Sequence, residues 1–283
     1  MLDVEINEDE YCAFRELFYR RTGIWFEDSK RYFVDRRLAE RIRATDSENF
    51  RRYYLRLRFS ENDPEWQTLT NAMTVNETYF FREMHQLDCL VNFMLNEIAA
   101  GKTEGGRIRI WSVPSSSGEE PYSVAIYLLE RWPDLERYTV EILASDIDTQ
   151  ILEQARRGVY SQRSVQHLPQ SCLRKYFRPL PNGEYQICDD LREAVAFSPV
   201  NLMDPAVTRQ FRNVDVIFCR NLLIYFDDAS RRTAAEVFYD ALNPGGFVCL
   251  GHSESMSRIS SLFTVRRFPD AIVYQKPPKG VKP

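Results

Sequence analysis

From Arg107 onward the chain alternates short apolar runs with amphipathic ones, a pattern few folds can satisfy. Arg107–Trp111, Val140–Ala144, Val214–Cys219 and Phe247–Gly251 read as strands, and residues 119–131, 149–157 and 229–242 as the helices between them. Strands alternating with helices require a parallel sheet with helices on both faces. The expected class is therefore α/β, with a doubly wound, mostly parallel sheet. Residues 1–95 differ in texture. Apolar residues recur there at spacings of three and four (Phe14, Leu17, Phe18; Val34, Leu38, Ile42; Tyr54, Leu57) with no alternating run, which predicts an all-helical N-terminal domain. Residues 96–283 form the second expected domain, and Gly-Lys-Thr-Glu-Gly-Gly at 101–106 is the linker or turn between the helical texture and the sheet. Residues 159–200 interrupt the alternation. Asn182-Gly183 lies in that block, and Asn-Gly between alternating stretches predicts a small antiparallel β insertion.

Composition narrows the function classes. With 37 Lys and Arg against 41 Asp and Glu, the chain carries a net charge of −4, which argues against binding nucleic acid through bulk phosphate attraction. Six cysteines without a CxxC pair fit reduced thiols better than disulfides or zinc. The start, Met1-Leu2-Asp3-Val4-Glu5, is acidic and lacks a signal peptide's basic and apolar regions. Asp215, Arg220 and Asn221 break the most apolar stretch, Val214–Phe226, so no membrane span is expected. A cytoplasmic enzyme fits these limits.

Chemistry-bearing residues gather at strand ends. The first strand runs into Ser115-Ser116-Ser117-Gly118-Glu119-Glu120-Pro121-Tyr122-Ser123, a turn facing the ligand crevice of such a sheet. Two glutamates would repel a pyrophosphate, and neither phosphate-binding glycine motif is present. A ligand with hydroxyls and a cationic centre, such as an adenosyl sulfonium, suits the turn. A helix start favoured by its own acidic residues is the plain alternative. Asp146 ends the second strand, 28 positions after Gly118, where a carboxylate can accept from both ribose hydroxyls. Asp148 reads instead as a helix cap. Arg220 and Asn221 end the third strand beside Tyr225, a phenol that serves a ligand or simply a wall. Gly251-His252-Ser253-Glu254-Ser255 nearly matches a nucleophile elbow, but no histidine follows His252, and a hydrolase triad needs one. From 29 to 58, ten basic residues face four acidic ones; Lys30, Arg37 and Arg41 share a helical face, either a solvated surface or a dock for an acidic helix.

These segments, together with Asn76-Glu77-Thr78-Tyr79-Phe80-Phe81-Arg82, stand in the order seen in the chemotaxis receptor methyltransferases, and the chain resembles that CheR family over nearly its whole length. The resemblance implies a helical domain, a Rossmann-like class I methyltransferase domain with a small antiparallel insertion, and methyl transfer from S-adenosylmethionine to receptor glutamates. It carries cofactor contacts onto Asn76, Thr78, Arg82, Glu120, Asp146, Asn201, Leu202, Arg220 and Asn221, and puts Arg82 and Tyr225 on the acceptor carboxylate. It puts the receptor's helical bundle against Arg36, Arg37, Arg41 and Arg43. No metal, nucleic acid or membrane insertion is implied, and a monomer is expected. Val113-Pro114 departs from the small residues usual in the family. The hairpin at Arg178–Ile187 is short, which predicts independence from a tether peptide at the receptor's C-terminus. A non-catalytic module that binds S-adenosylmethionine is the competing possibility, and retention of Arg82 and Tyr225 counts against it.

Overall fold

The computed structural model describes residues 4–280; Met1–Asp3 of the acidic start lie outside them. Four helices open the chain: α1 (Glu8–Thr22), α2 (Arg31–Ala44), α3 (Phe50–Phe59) and α4 (Glu65–Met73). Local chemistry sets their ends. Asn7 and Glu10 form a reciprocal capping box at the start of α1, and Gly23 closes it at φ 74°, in the left-handed region that glycine enters freely. A Cβ on Gly23 would also approach Met203 Cγ to 2.7 Å. Of the apolar positions that predicted the helices, Phe14, Phe18, Val34, Leu38, Ile42 and Leu57 are buried, and Leu17 and Tyr54 are partly buried against them.

Next, α5 (Met84–Cys89) passes through one π turn (Leu90–Met94) into α6 (Leu95–Ala100). The alternating region follows as β1 (Arg107–Ser112), α7 (Glu119–Arg131), β2 (Thr139–Asp146) and α8 (Thr149–Arg157). A small subdomain then contains β3 (Val159–Tyr160), α9 (Gln162–Val165), α10 (Gln170–Tyr176), β4 (Phe177–Pro179), β5 (Tyr185–Ile187) and α11 (Asp189–Glu193). The main sheet resumes with β6 (Val195–Pro199), α12 (Pro205–Thr208), β7 (Val214–Cys219), α13 (Asp228–Ala241) and β8 (Leu242–Leu250). It ends in a hairpin, β9 (Thr264–Phe268) and β10 (Ala271–Gln275). The seven strands run β6-β2-β1-β7-β8-β10-β9, and the first five are mutually parallel.

Period-two alternation sends neighbouring side chains of the central strands to opposite faces. Ile108, Ile110, Val216, Phe218 and Phe247 pack with α5, α6 and α7. Trp111, Ile217, Cys219, Val248 and Leu250 pack with α13 and the N-terminal helices. The doubly wound sheet and the three-stranded antiparallel sheet (β3-β5-β4) match the expected class.

Two expected boundaries are corrected. Residues 1–95 do not share one core, because Phe80–Leu95 pack on the sheet; helical periodicity marks a helix but not the core it serves. Residues 195–199 fall within the expected insertion at 159–200, yet they form β6 and pair with β2 from Ile142↔Val195 to Asp146↔Pro199. Five residues carry too few alternations to mark a return to the main sheet.

Candidate active site

The carboxyl ends of β2, β1 and β7 open into a cavity of about 490 Å3. Asn76, Thr78, Arg82, Glu120, Asp146, Asn201, Leu202, Arg220, Asn221 and Tyr225 all line it. Three loops and the N-terminal domain bring them together.

Asp146 sits 3% exposed at the end of β2. Ser116 N donates to its Oδ2 at 2.8 Å and Asp148 N to its Oδ1 at 3.0 Å. Burial pushes its carboxyl up to about 6, although these amide bonds pull it down. Asp148 caps α8 as expected, accepting from Gln150 N and Ile151 N through Oδ1. Its other oxygen accepts from Thr74 Oγ1 at 2.7 Å and Asn76 Nδ2 at 2.8 Å. A single carboxylate thus joins the α8 start to the segment that carries Asn76 and Thr78.

Glu120 and Arg220 form a buried ion pair, and Ser112 Oγ donates to Glu120 at 2.7 Å. Arg220 also donates to the Arg82 carbonyl at 2.7 Å. Phe81 and Glu83, on either side of Arg82, hold φ values of 59° and 54°. Non-glycine residues rarely adopt this region, and such backbone strain concentrates at functional sites. The Arg82 guanidinium donates to the Glu77 carbonyl at 3.0 Å and lies 5.6 Å from the Tyr79 ring centre.

Asn221 adopts φ 60°. Among the described residues, its Oδ1 and Ser115 Oγ are buried without a hydrogen-bond partner. Both residues line the cavity, so a ligand carrying N–H or O–H donors would satisfy them. The amino group and ribose hydroxyls of S-adenosylmethionine fit that requirement. Tyr225 is held through its backbone, whose carbonyl accepts from Trp25 N at 3.0 Å beside an Ile24↔Phe226 bridge. Burial raises the pKa of its phenol, Glu77 raises it further and Arg82 lowers it, which keeps the group a neutral donor near pH 7.

Asn201 lines the wall with its side chain already committed, Nδ2 donating to the Arg21 carbonyl at 2.7 Å and Oδ1 accepting from Met203 N. Leu202 is a buried apolar wall. The sequence does not single out Ser115, Trp25, Phe26 or Phe33 as lining residues, though all four line the cavity. Trp25 and Phe26 reach it only through the long-range bridge to Tyr225-Phe226, which has no local signature.

The basic helix divides. Arg36 and Arg37 lie 3.8 and 3.3 Å from Glu40, with side chains 52% and 33% exposed; Arg43 is exposed. Arg41, expected on the receptor-facing surface, instead grips Glu65 through two bonds of 2.8 and 2.6 Å. Glu65 is only 5% exposed, and a buried carboxylate needs a paired cation. Tyr53 donates to it as well.

Two family models cover the chain. "CheR methyltransferase, all-alpha domain" matches residues 9–74, and "CheR methyltransferase, SAM binding domain" matches residues 76–272. The chain is 55% identical to "Chemotaxis protein methyltransferase 2" of Vibrio cholerae, covering 99% of this chain and 97% of that one. It is 37% identical to the "Chemotaxis protein methyltransferase" of Salmonella typhimurium, covering 92% and 88%. A cavity at the strand ends, orphaned acceptors inside it and these two matched domains make the chain a member of the CheR family of S-adenosylmethionine-dependent chemotaxis methyltransferases.

Proposed function

We propose that this cavity transfers a methyl group to glutamate side chains on the helical cytoplasmic bundle of chemoreceptors. When bound, S-adenosylmethionine supplies an electrophilic methyl group, and its transfer to a carboxylate leaves an ester and S-adenosylhomocysteine. A glutamate, with a reference pKa of about 4.3, is ionised near pH 7, so the protein need not remove a proton. Its residues work by binding, orienting and excluding water. Asp146 accepts from the ribose, Asn221 Oδ1 and Ser115 Oγ take up the remaining donors, and the Glu120–Arg220 pair shapes the floor. Arg82 and Tyr225 hold the acceptor carboxylate by charge-assisted and neutral hydrogen bonds. Arg36, Arg37 and Arg43 on α2 meet the acidic receptor helix.

The observation that carries this proposal is the placement of a cation and a neutral phenol, Arg82 and Tyr225, on the same cavity as the orphaned Asn221 acceptor. The protein acts as a cytoplasmic monomer, requiring neither metal nor nucleic acid. No helix among the described residues is long and apolar enough to cross a membrane. The β4–β5 hairpin turns through Leu180–Glu184, closed by a Leu180 N to Glu184 O bond of 2.8 Å. Its strands are three residues each, which supports methylation without a receptor tether peptide. Incubation with labelled cofactor and receptor cytoplasmic fragments, with and without their C-terminal peptide, tests the proposal. Base-labile label on both fragments is expected; base-stable label, or label only on the peptide-bearing fragment, would overturn the corresponding part.

A further inference from the structure

Gly251-His252-Ser253-Glu254, the failed nucleophile elbow, has no part in the reaction described so far, yet its glutamate sits directly behind the site. We propose that Glu254 is a positioning residue for methyl transfer, holding the turn from Arg220 to Tyr225 in the shape that presents both Asn221 and Tyr225 to the cavity. This inference rests on the catalytic reading of that cavity.

The geometry is specific. Glu254 Oε2 accepts from Asn221 N at 2.9 Å and from Gly251 N at 2.8 Å. Oε1 accepts from Leu223 N at 2.7 Å. Both oxygens therefore face backbone donors, and only an acceptor-only carboxylate satisfies that arrangement. A glutamine would turn its NH2 group towards one set of donors and leave those amides without an acceptor.

The turn needs such a clamp. Asn221 at φ 60° lies in a region that L residues rarely occupy unless their surroundings impose it, and its own N–H is one of the groups Glu254 holds. Leu223 begins the short helical turn that ends at Tyr225, so fixing its N–H sets where the phenol emerges. The close approach depends on Gly251, where a Cβ would lie 2.9 Å from Glu254 Oε2 and 3.1 Å from Asn221 Nδ2. Neighbouring Ser253 is exposed and serves as the control position.

The test uses the full chain with Glu254→Gln and Ser253→Ala. Wild type must first bind S-adenosylhomocysteine in calorimetry; if it does not, the cavity reading itself fails. Given that binding, a charged hydrogen-bond acceptor is being exchanged for a misoriented amide. E254Q is expected to weaken S-adenosylhomocysteine binding about tenfold or more and to lower kcat at saturating cofactor by about tenfold. KM for the receptor fragment should stay within about twofold, because the docking face is elsewhere. Ser253→Ala should match wild type. Two outcomes overturn the proposal: wild-type binding and turnover in E254Q, or a lower binding stoichiometry at unchanged affinity, the mark of a merely unfolded fraction. Should E254Q fail to fold by circular dichroism, Glu254→Asp keeps the charge but withdraws it from the amides. It is expected to show both losses in smaller measure, and wild-type values there would equally overturn the proposal.

Discussion

Asp146 shows how one side chain is tuned by its position. Burial raises its folded-state pKa to about 6, above the carboxylate value of about 3.9 in an unfolded chain. Between those limits the folded protein keeps a proton that the unfolded chain has lost. This contribution to stability is therefore present at low pH and lost as pH rises through about 6. In the proposed function binding runs the other way, since ribose hydroxyls would donate to the ionised form. Affinity for S-adenosylhomocysteine should rise as pH increases through about 6, with proton release seen as a dependence of the binding heat on buffer ionisation enthalpy. Flat affinity between pH 5 and 8 would remove Asp146 from the cofactor site. At the acceptor end, Tyr225→Phe is expected to lower kcat about tenfold and Arg82→Ala about a hundredfold, as neutral and charged hydrogen bonds differ. Affinity for S-adenosylhomocysteine should change less in both, a comparison that steady-state kinetics and calorimetry together can make. Asp146, Arg220 and Asn221 stand out in the sequence because strand ends mark a crevice, whereas Asn76, Thr78, Asn201 and Leu202, and the roles of Arg82 and Tyr225, follow from the family resemblance. Ser115 was not singled out, since a serine in a serine-rich turn carries no sign of which hydroxyl will be buried without a partner.

At the scale of elements, Asp148 does more than its sequence suggested. Sequence spacing identifies the cap of α8, because capping is a local matter settled within three residues. Its second oxygen, which binds Thr74 and Asn76, depends on residues more than 70 positions away and leaves no local trace. Asp148→Ala should remove both functions. Loss of the cap alone costs about 1 to 2 kcal/mol, or a melting-temperature drop of about 2 to 3 °C in a chain of this size. Affinity for S-adenosylhomocysteine should fall as well, because the segment holding Asn76 and Thr78 is freed. Differential scanning fluorimetry and calorimetry on the same sample would separate the effects; a thermal shift with unchanged affinity would show the second oxygen to be dispensable. The four central strands and α7, α8 and α13 were readable from periodicity. β6 was not, since it is short and follows the antiparallel subdomain, and β9 and β10 lay beyond the alternating pattern.

Across the whole molecule, the basic stretch resolves into two populations that composition could not separate. Arg41 is structural, its guanidinium closing on buried Glu65, whereas Arg36 lies half-exposed near Glu40. Arg41→Ala should destabilise the fold by about 3 kcal/mol, because Glu65 is left as an unpaired buried charge. Arg36→Glu should leave the melting temperature nearly unchanged and raise KM for receptor fragments. Equal thermal shifts in the two variants would contradict this division. Sequence spacing placed both on a helix, but only packing against α4 decides which of them turns inward.

The backbone pairing of Trp25 with Tyr225, and of Ile24 with Phe226, has a consequence for anyone who would cut or recombine this enzyme. The helical unit is a wall of the candidate cavity as well as the bearer of the proposed receptor-facing surface. A fragment starting at residue 76 would keep every strand of the main sheet but lose one side of its own pocket. Chimaeras built to retarget the enzyme must transplant the loop after α1 together with the proposed receptor-facing helix, or provide an equivalent edge for the tyrosine to lean on.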